Sequence, residues 1–197
     1  MITTLFDFHH VPNDPQQTRQ AKRQGLRSAS RRRLAGLLSQ AGASSDRVIR
    51  DDNGLHPVDE QFYCSVSYTQ NLVASAISHH AIGIDIEAIS PRRDWRKIGK
   101  FLWRETPKSI EEFYFRFGVM EAWGKLRGIG IHSQSRRIHI SDSTITSPDI
   151  PGTHWHFINL QQASYNFCMV VDAQYSKPKQ LEALSHEITT QLGIATA

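Results

Sequence analysis

Between residues 62 and 87 the chain runs FYCSVSYTQNLVASAISHHAIGIDIE, a nearly unbroken alternation of apolar with small or polar side chains. A period of two belongs to strands. The run is long enough for two or three of them, with a turn near Thr69 to Asn71. Helical patterns flank it. From Pro15 to Gly42, Leu26, Leu34, Leu37, Leu38 and Ala41 form an apolar stripe that ends at GASS. A second helical stretch covers about Asp94 to Arg104. A third, SIEEFYFRFGVMEAWGKL, starts at Ser109, a good N-cap with Glu112 three residues later. Strand-like runs return at Arg136 to Ile140, His154 to Asn159 and Tyr165 to Asp172, and from Lys177 a surface helix or loose tail is expected. Helix followed by strands, twice over, predicts an α+β protein of two halves, residues 1–82 and a larger 83–197.

Composition narrows the class without naming a function. The chain has 197 residues, 39% hydrophobic and 21% charged, which is ordinary globular usage and argues against wholesale disorder. A net charge of +4 favours acidic partners or phosphorylated ligands. Cys64 and Cys168 are the only cysteines, too few for a disulfide framework or a zinc cluster. MITTLFDFHH lacks the basic and apolar regions of a signal peptide, and no run approaches the length of a membrane span. A soluble, cytoplasmic protein is therefore expected, with no membrane partner.

The candidate chemistry starts in IGIDIEAI. Ile82, Ile84 and Ile86 share one face of a strand, and Asp85 and Glu87 share the other, about 6.6 Å apart. Two readings stand: a half-buried strand whose wet face is acidic, or two oxygen ligands for a hard cation. In the third helix Phe113, Phe117, Glu121 and Lys125 follow each other at spacings of four and share a face. An acid that continues an aromatic stripe is costly unless paired. Lys125 pairs with it in the simplest reading. In the other, Glu121 joins Asp85 and Glu87 around magnesium or manganese, or serves as the base for an attacking hydroxyl, with Lys125 on a phosphate.

Arg19, Lys22, Arg23, Arg27, Arg31, Arg32 and Arg33 crowd the first helix with no acid among them. They form either a solvated face or a surface for phosphate-rich ligands or nucleic acid. No zinc-finger spacing, RNA-recognition signature or clear helix-turn-helix supports nucleic acid. RRDWRKIGKFLWRE, with Arg92, Arg93, Arg96, Lys97 and Lys100, could dock an acidic protein.

GIDIE at 83–87, followed about thirty residues later by FGVMEAWGKLRG at 117–128, resembles the 4′-phosphopantetheinyl transferases, which carry a G-x-D-x-E strand and a W/F-x-x-K-E-x-x-x-K helix. CSVSYT at 64–69 stands where that family has N-[LI]-S-H-[ST], and DNGLHP resembles its G-K-P turn. The resemblance spans roughly residues 20–172 and is to the compact bacterial, monomeric type. It implies two pseudo-symmetric α+β halves with the active site between them. It also implies transfer of the phosphopantetheine arm of coenzyme A to a serine of an apo acyl or peptidyl carrier protein, releasing 3′,5′-ADP. By the same resemblance Asp85, Glu87 and Glu121 hold magnesium, with manganese as the alternative, and Glu121 helps to deprotonate the serine. Lys125 sits near the pyrophosphate. Arg23, Arg27, Arg31, His56, Ser67 and Tyr68 contact coenzyme A, and residues 92–100 meet the acidic carrier. The chain departs from the pattern at Met120 for lysine, Tyr68 and Thr69 for histidine and serine, Leu55 or His56 for the turn lysine, and Ser65 for asparagine. The alternatives are a degenerate paralogue that binds coenzyme A or a carrier without transfer, an arginine-rich nucleic-acid binder, and another metal-dependent phosphoryl or nucleotidyl transferase.

Overall fold

The computed structural model describes residues 4–12, 14–51, 54–162 and 164–192. Asp52 and Asn53, the start of the DNGLHP turn, and the last five residues of the expected tail, 193–197, lie outside them. The chain is α+β. Its first elements are β1 (Thr4–His10), α1 (Arg19–Gln40), β2 (Val48–Asp51), β3 (Gly54–Pro57), β4 (Tyr63–Thr69) and β5 (Leu72–Ser78). After them come β6 (Ile82–Ala88), α2 (Trp95–Trp103), α3 (Ile110–Leu126), β7 (His139–Ser141), β8 (Thr144–Thr146), β9 (His154–Gln161), β10 (Tyr165–Asp172) and α4 (Pro178–Gln191).

Two antiparallel sheets result. One has the order β1-β5-β4 and the other β6-β10-β9-β8-β7, while β2 and β3 form a separate hairpin. In each large sheet the last strand of the half lies between the first and the next-to-last, so β1-β5-β4 and β6-β10-β9 have the same connectivity. In both, helix and short hairpin intervene after the first strand. The sheets adjoin where β4 runs beside β6, and serine and threonine hydroxyls hold the seam. Ser65 Oγ accepts from the Ile84 N–H at 3.0 Å, Thr69 Oγ1 accepts from the Ala88 N–H at 3.0 Å, and Ser67 donates to Asp85 between them.

The hydrophobic groups define layers. Alternate residues of β5 serve opposite faces: Val73 and Ile77 pack beneath α1, with Leu26, Ala29, Leu34, Leu37 and Leu38, while Leu72, Ala74 and Ala76 face the second sheet. There they meet Ile82, Ile84 and Ile86 of β6 with Phe167, Met169 and Val171 of β10, and Leu181, Leu184 and Ile188 of α4 complete this core. On the far face of the second sheet α3 lays Val119, Ala122 and Trp123 on Trp155, Phe157, Cys168 and Val170. Its Phe113, Tyr114, Phe117 and Met120 pack with Trp95 and Leu102 of α2. Burying about 150–250 Å² per aromatic, this side of the molecule draws much of its hydrophobic stabilisation from α3.

Several local expectations hold and others are corrected. Ser109 caps α3 by accepting from the Glu112 N–H at 3.2 Å. The Glu112 carboxylate turns back to the Lys108 N–H, one residue before the N-cap, so the reciprocal capping box is not closed. Asp94 caps α2, and Arg104 ends it in the left-handed region at φ 61°. The first helix starts at Arg19, capped by Thr18, since the preceding residues 15–17 form a turn and bend. Residues 135–137 are a 3-10 turn, so the strand expected from Arg136 begins at His139. The tail is a packed helix whose Leu184 and Ile188 are buried. No helix among the described residues is long and apolar enough to cross a membrane.

Candidate active site

The acidic face of β6 is not wet, because α3 lies directly on it. A Cβ placed on Gly83 would stand 1.9 Å from the Ala122 carbonyl oxygen, so only glycine permits the approach. Asp85, the next residue on that face, is 3% exposed. This overturns the reading of an acidic strand surface and makes Asp85 a buried charge that needs a partner.

Lys125, in the last turn of α3, supplies it. Its Nζ donates to Asp85 Oδ1 at 2.8 Å, to Ser67 Oγ at 3.0 Å and to the Ile84 carbonyl at 3.0 Å. The Ser67 hydroxyl in turn donates to Asp85 Oδ1 at 2.9 Å. The two contacts that reach the carboxylate, from Lys125 and from Ser67, both fall on Oδ1. Asp85 Oδ2 is buried with no hydrogen-bond partner among the described residues. Lys125 therefore reaches across to β6 and forms no ion pair with Glu121, against the simplest reading of that i,i+4 spacing.

Glu87 pairs with Arg93, whose guanidinium donates to Glu87 Oε2 at 2.9 Å and lies over the Phe117 ring at 4.7 Å. The Glu121 carboxylate makes no hydrogen bond or ion pair among the described residues. Burial, first, and repulsion from Asp85 push its carboxyl up to about 7, against the pull of Lys125. Burial and the Asp85 charge also raise Glu87, with Arg93 and Lys125 opposing. The three carboxylates thus sense one another, which is how acid–base and cation sites are tuned.

A cleft of about 810 Å³ opens beside this cluster, within the range of small-molecule sites. Its walls are β3 and β4, with His56, Cys64 and Ser65, and the end of α3 with the turn after it, from Gly124 to Gly130. Lys125 lines the cleft and also holds Asp85, so the two features share a residue. Burial pushes the Cys64 thiol up to about 12, which leaves it unsuited to nucleophilic work.

The chemistry of the donor set fits the divalent cation that the resemblance implies: carboxylates from two facing elements, with one buried oxygen unpartnered. The side chains as they stand do not close a shell, and no group of three or more His, Cys, Asp or Glu among the described residues is arranged to hold a metal. Positive charge comes instead from Lys125 and Arg93.

The expected coenzyme A contacts divide. His56 and Lys125 line the cleft, and Ser67 lies between Lys125 and Asp85. Tyr68 turns to α1, where its hydroxyl accepts from Arg27 Nε at 3.4 Å. Arg23 and Arg31 are exposed on α1, and no α1 residue lines the cleft. Met120 is 1% exposed in the α2–α3 core, a place unsuited to an unpaired lysine. Of the proposed docking residues, Arg92, Arg96, Lys97 and Lys100 are exposed. Arg93 is not among them: it faces Glu87, a correction that basic-residue clustering could not foretell. Comparison with family models finds none that matches the chain, and comparison with curated proteins finds no match either.

Proposed function

We propose that the protein is a divalent-cation-dependent transferase that moves the phosphopantetheine arm of coenzyme A to a serine of an acidic apo carrier protein, with the two-halved fold of the 4′-phosphopantetheinyl transferases. The observation that carries this reading is the buried Asp85, held through one oxygen by Lys125 and open at the other, beside Glu121 and a cleft large enough for a nucleotide-sized ligand. The motifs GIDIE and FGVMEAWGKLRG, and the repeated order of β1-β5-β4 and β6-β10-β9, support it.

In the reaction the serine oxygen forms a bond to the phosphorus that bears the pantetheine arm, and the bond from that phosphorus to the bridging pyrophosphate oxygen breaks. 3′,5′-ADP leaves with the electron pair. Glu121, its carboxyl tuned to about 7, takes the serine proton. Lys125 offsets negative charge where the cleft meets the cluster, and Ser67 holds Lys125 and Asp85 in register. Bound magnesium or manganese would sit on the carboxylates and neutralise pyrophosphate charge. The exposed Arg92, Arg96, Lys97 and Lys100 would meet the carrier.

A second reading, a paralogue that binds without transfer, draws on the cations already seated on Asp85 and Glu87. Release of 3′,5′-ADP from coenzyme A, followed by chromatography with a panel of apo carriers and magnesium, separates the two. We expect release with a cognate carrier, and its loss in folded Asp85→Ala and Glu121→Ala variants. Coenzyme A binding without release across the panel would favour the paralogue.

A further inference from the structure

The basic helix α1 takes no part in the candidate active site, since none of its residues lines the cleft. Between Asp14 and Asp46 the chain has no acid, and α1 carries seven cations within that span, against +4 for the whole protein. The rest of the chain is therefore net acidic, and positive charge is concentrated on this helix. Residues four apart form rows along a helix. Two rows of α1 face the core, with Leu26, Leu34 and Leu38 in one and Ala29 and Leu37 in the other. The other two are exposed from the first turn onward: Arg19, Arg23, Arg27 and Arg31, and beside them Gln20, Gln24, Ser28 and Arg32. Like charges at this spacing repel. Arg19, Arg23, Arg31 and Arg32 have no ion pair among the described residues that would offset the repulsion. The arginine row spans about 18 Å, enough to reach several phosphates of a duplex.

The chemistry of the two rows selects the partner. Guanidinium groups bind phosphates through two parallel hydrogen bonds, and amides and hydroxyls bind sugar and phosphate oxygens. A membrane surface would call for large apolar side chains to insert, and every leucine of α1 is buried. An acidic protein would call for an apolar anchor at the centre of the contact, and the exposed large hydrophobic residues all lie off α1. Single strands stack on aromatic rings. The exposed Tyr63, Phe101 and Tyr175 are on other parts of the chain, and Tyr68 spends its hydroxyl on Arg27 at 3.4 Å. We infer that α1 is a binding surface separate from the cleft, which docks the phosphate backbone of a nucleic-acid duplex without reading its sequence. Such a surface needs no base-reading motif.

Fluorescence anisotropy of labelled mixed-sequence duplexes, one DNA and one RNA, in rising salt tests this and needs neither coenzyme A nor a carrier. The protein should bind at least one of them, and the tighter complex tells DNA from RNA. With five arginines on phosphates, log affinity should fall against log salt with a slope of about −4 to −5. Arg23→Gln combined with Arg31→Gln should make that slope shallower by about two and weaken binding at least about tenfold near 0.1 M salt. This variant relieves like-charge repulsion, so it should melt no lower than the unaltered protein. Lys108→Gln combined with Lys179→Gln removes the same charge from exposed positions outside α1 and should stay within about twofold. Equal losses from the two pairs would assign the binding to net charge and overturn the proposal. Binding to neither duplex would overturn it too, as would tighter binding to a single strand, to poly-glutamate or to phosphatidylserine vesicles. None of these results bears on the transfer reading.

Discussion

At the scale of single residues, the site is built on an imbalance: Glu121 is half-buried beside two other carboxylates, and its carboxylate has no hydrogen-bond or ion-pair partner among the described residues. A carboxyl raised to about 7 keeps a proton in the folded state that the unfolded chain gives up nearer pH 4.5. Folding therefore takes up protons between those values. Without divalent cations, stability should rise as pH falls from about 7 towards about 5, and should be lost as pH climbs through about 7. Thermal melts at several pH values in chelator should show this, and Glu121→Gln should flatten the slope; an unchanged slope in the variant would place the titrating group elsewhere. Asp85, Glu87, Glu121 and Lys125 were legible in the sequence because strand and helix periods fix which side chains share a face. The pairing of Lys125 with Asp85, and the inward turn of Arg93, were not. Both depend on how α3 and the loop after β6 dock, and no local pattern records that.

At the scale of elements, α3 and β6 determine the site together. Gly83 lets the helix backbone sit on the strand, and that contact sets Glu121 against Asp85. Gly83→Ala should cost at least about 1–3 kcal/mol, because the obstruction is backbone and cannot rotate away. Gly25→Ala on α1 is the control: nothing lies within 4 Å of its added Cβ, and helix propensity predicts a gain of up to about 1 kcal/mol. Chemical denaturation of both variants checks the contrast, and equal effects would contradict the close packing. The α3 cap, the turn between β4 and β5, and the bounds of α2 were legible from capping and turn chemistry. β1, the β2–β3 hairpin and β8 were not. β2, β3 and β8 are three or four residues long, and β1 gains its hydrogen bonds from β5, more than sixty residues away.

At the scale of the molecule, two sheets of like connectivity meet at a seam of hydroxyl groups, and the carboxylate cluster lies on that seam. Ser65 and Thr69 hold the β4–β6 junction, and Ser67 continues the same row into the site. The alternation of helical and strand patterns was visible in the sequence. The layering was not, because it depends on which face of each sheet the helices choose and on α4 closing the central core. The cleft lies between β3–β4 and the end of α3, so elements that flank both sheets wall the candidate site.

The measurement that bears most directly on this account is the intact mass of apo acyl and peptidyl carrier proteins after incubation with the protein, coenzyme A and magnesium. The account predicts that one carrier gains a single phosphopantetheine arm, and that EDTA abolishes the gain. No gain on any carrier, with the protein folded and coenzyme A bound, would contradict it.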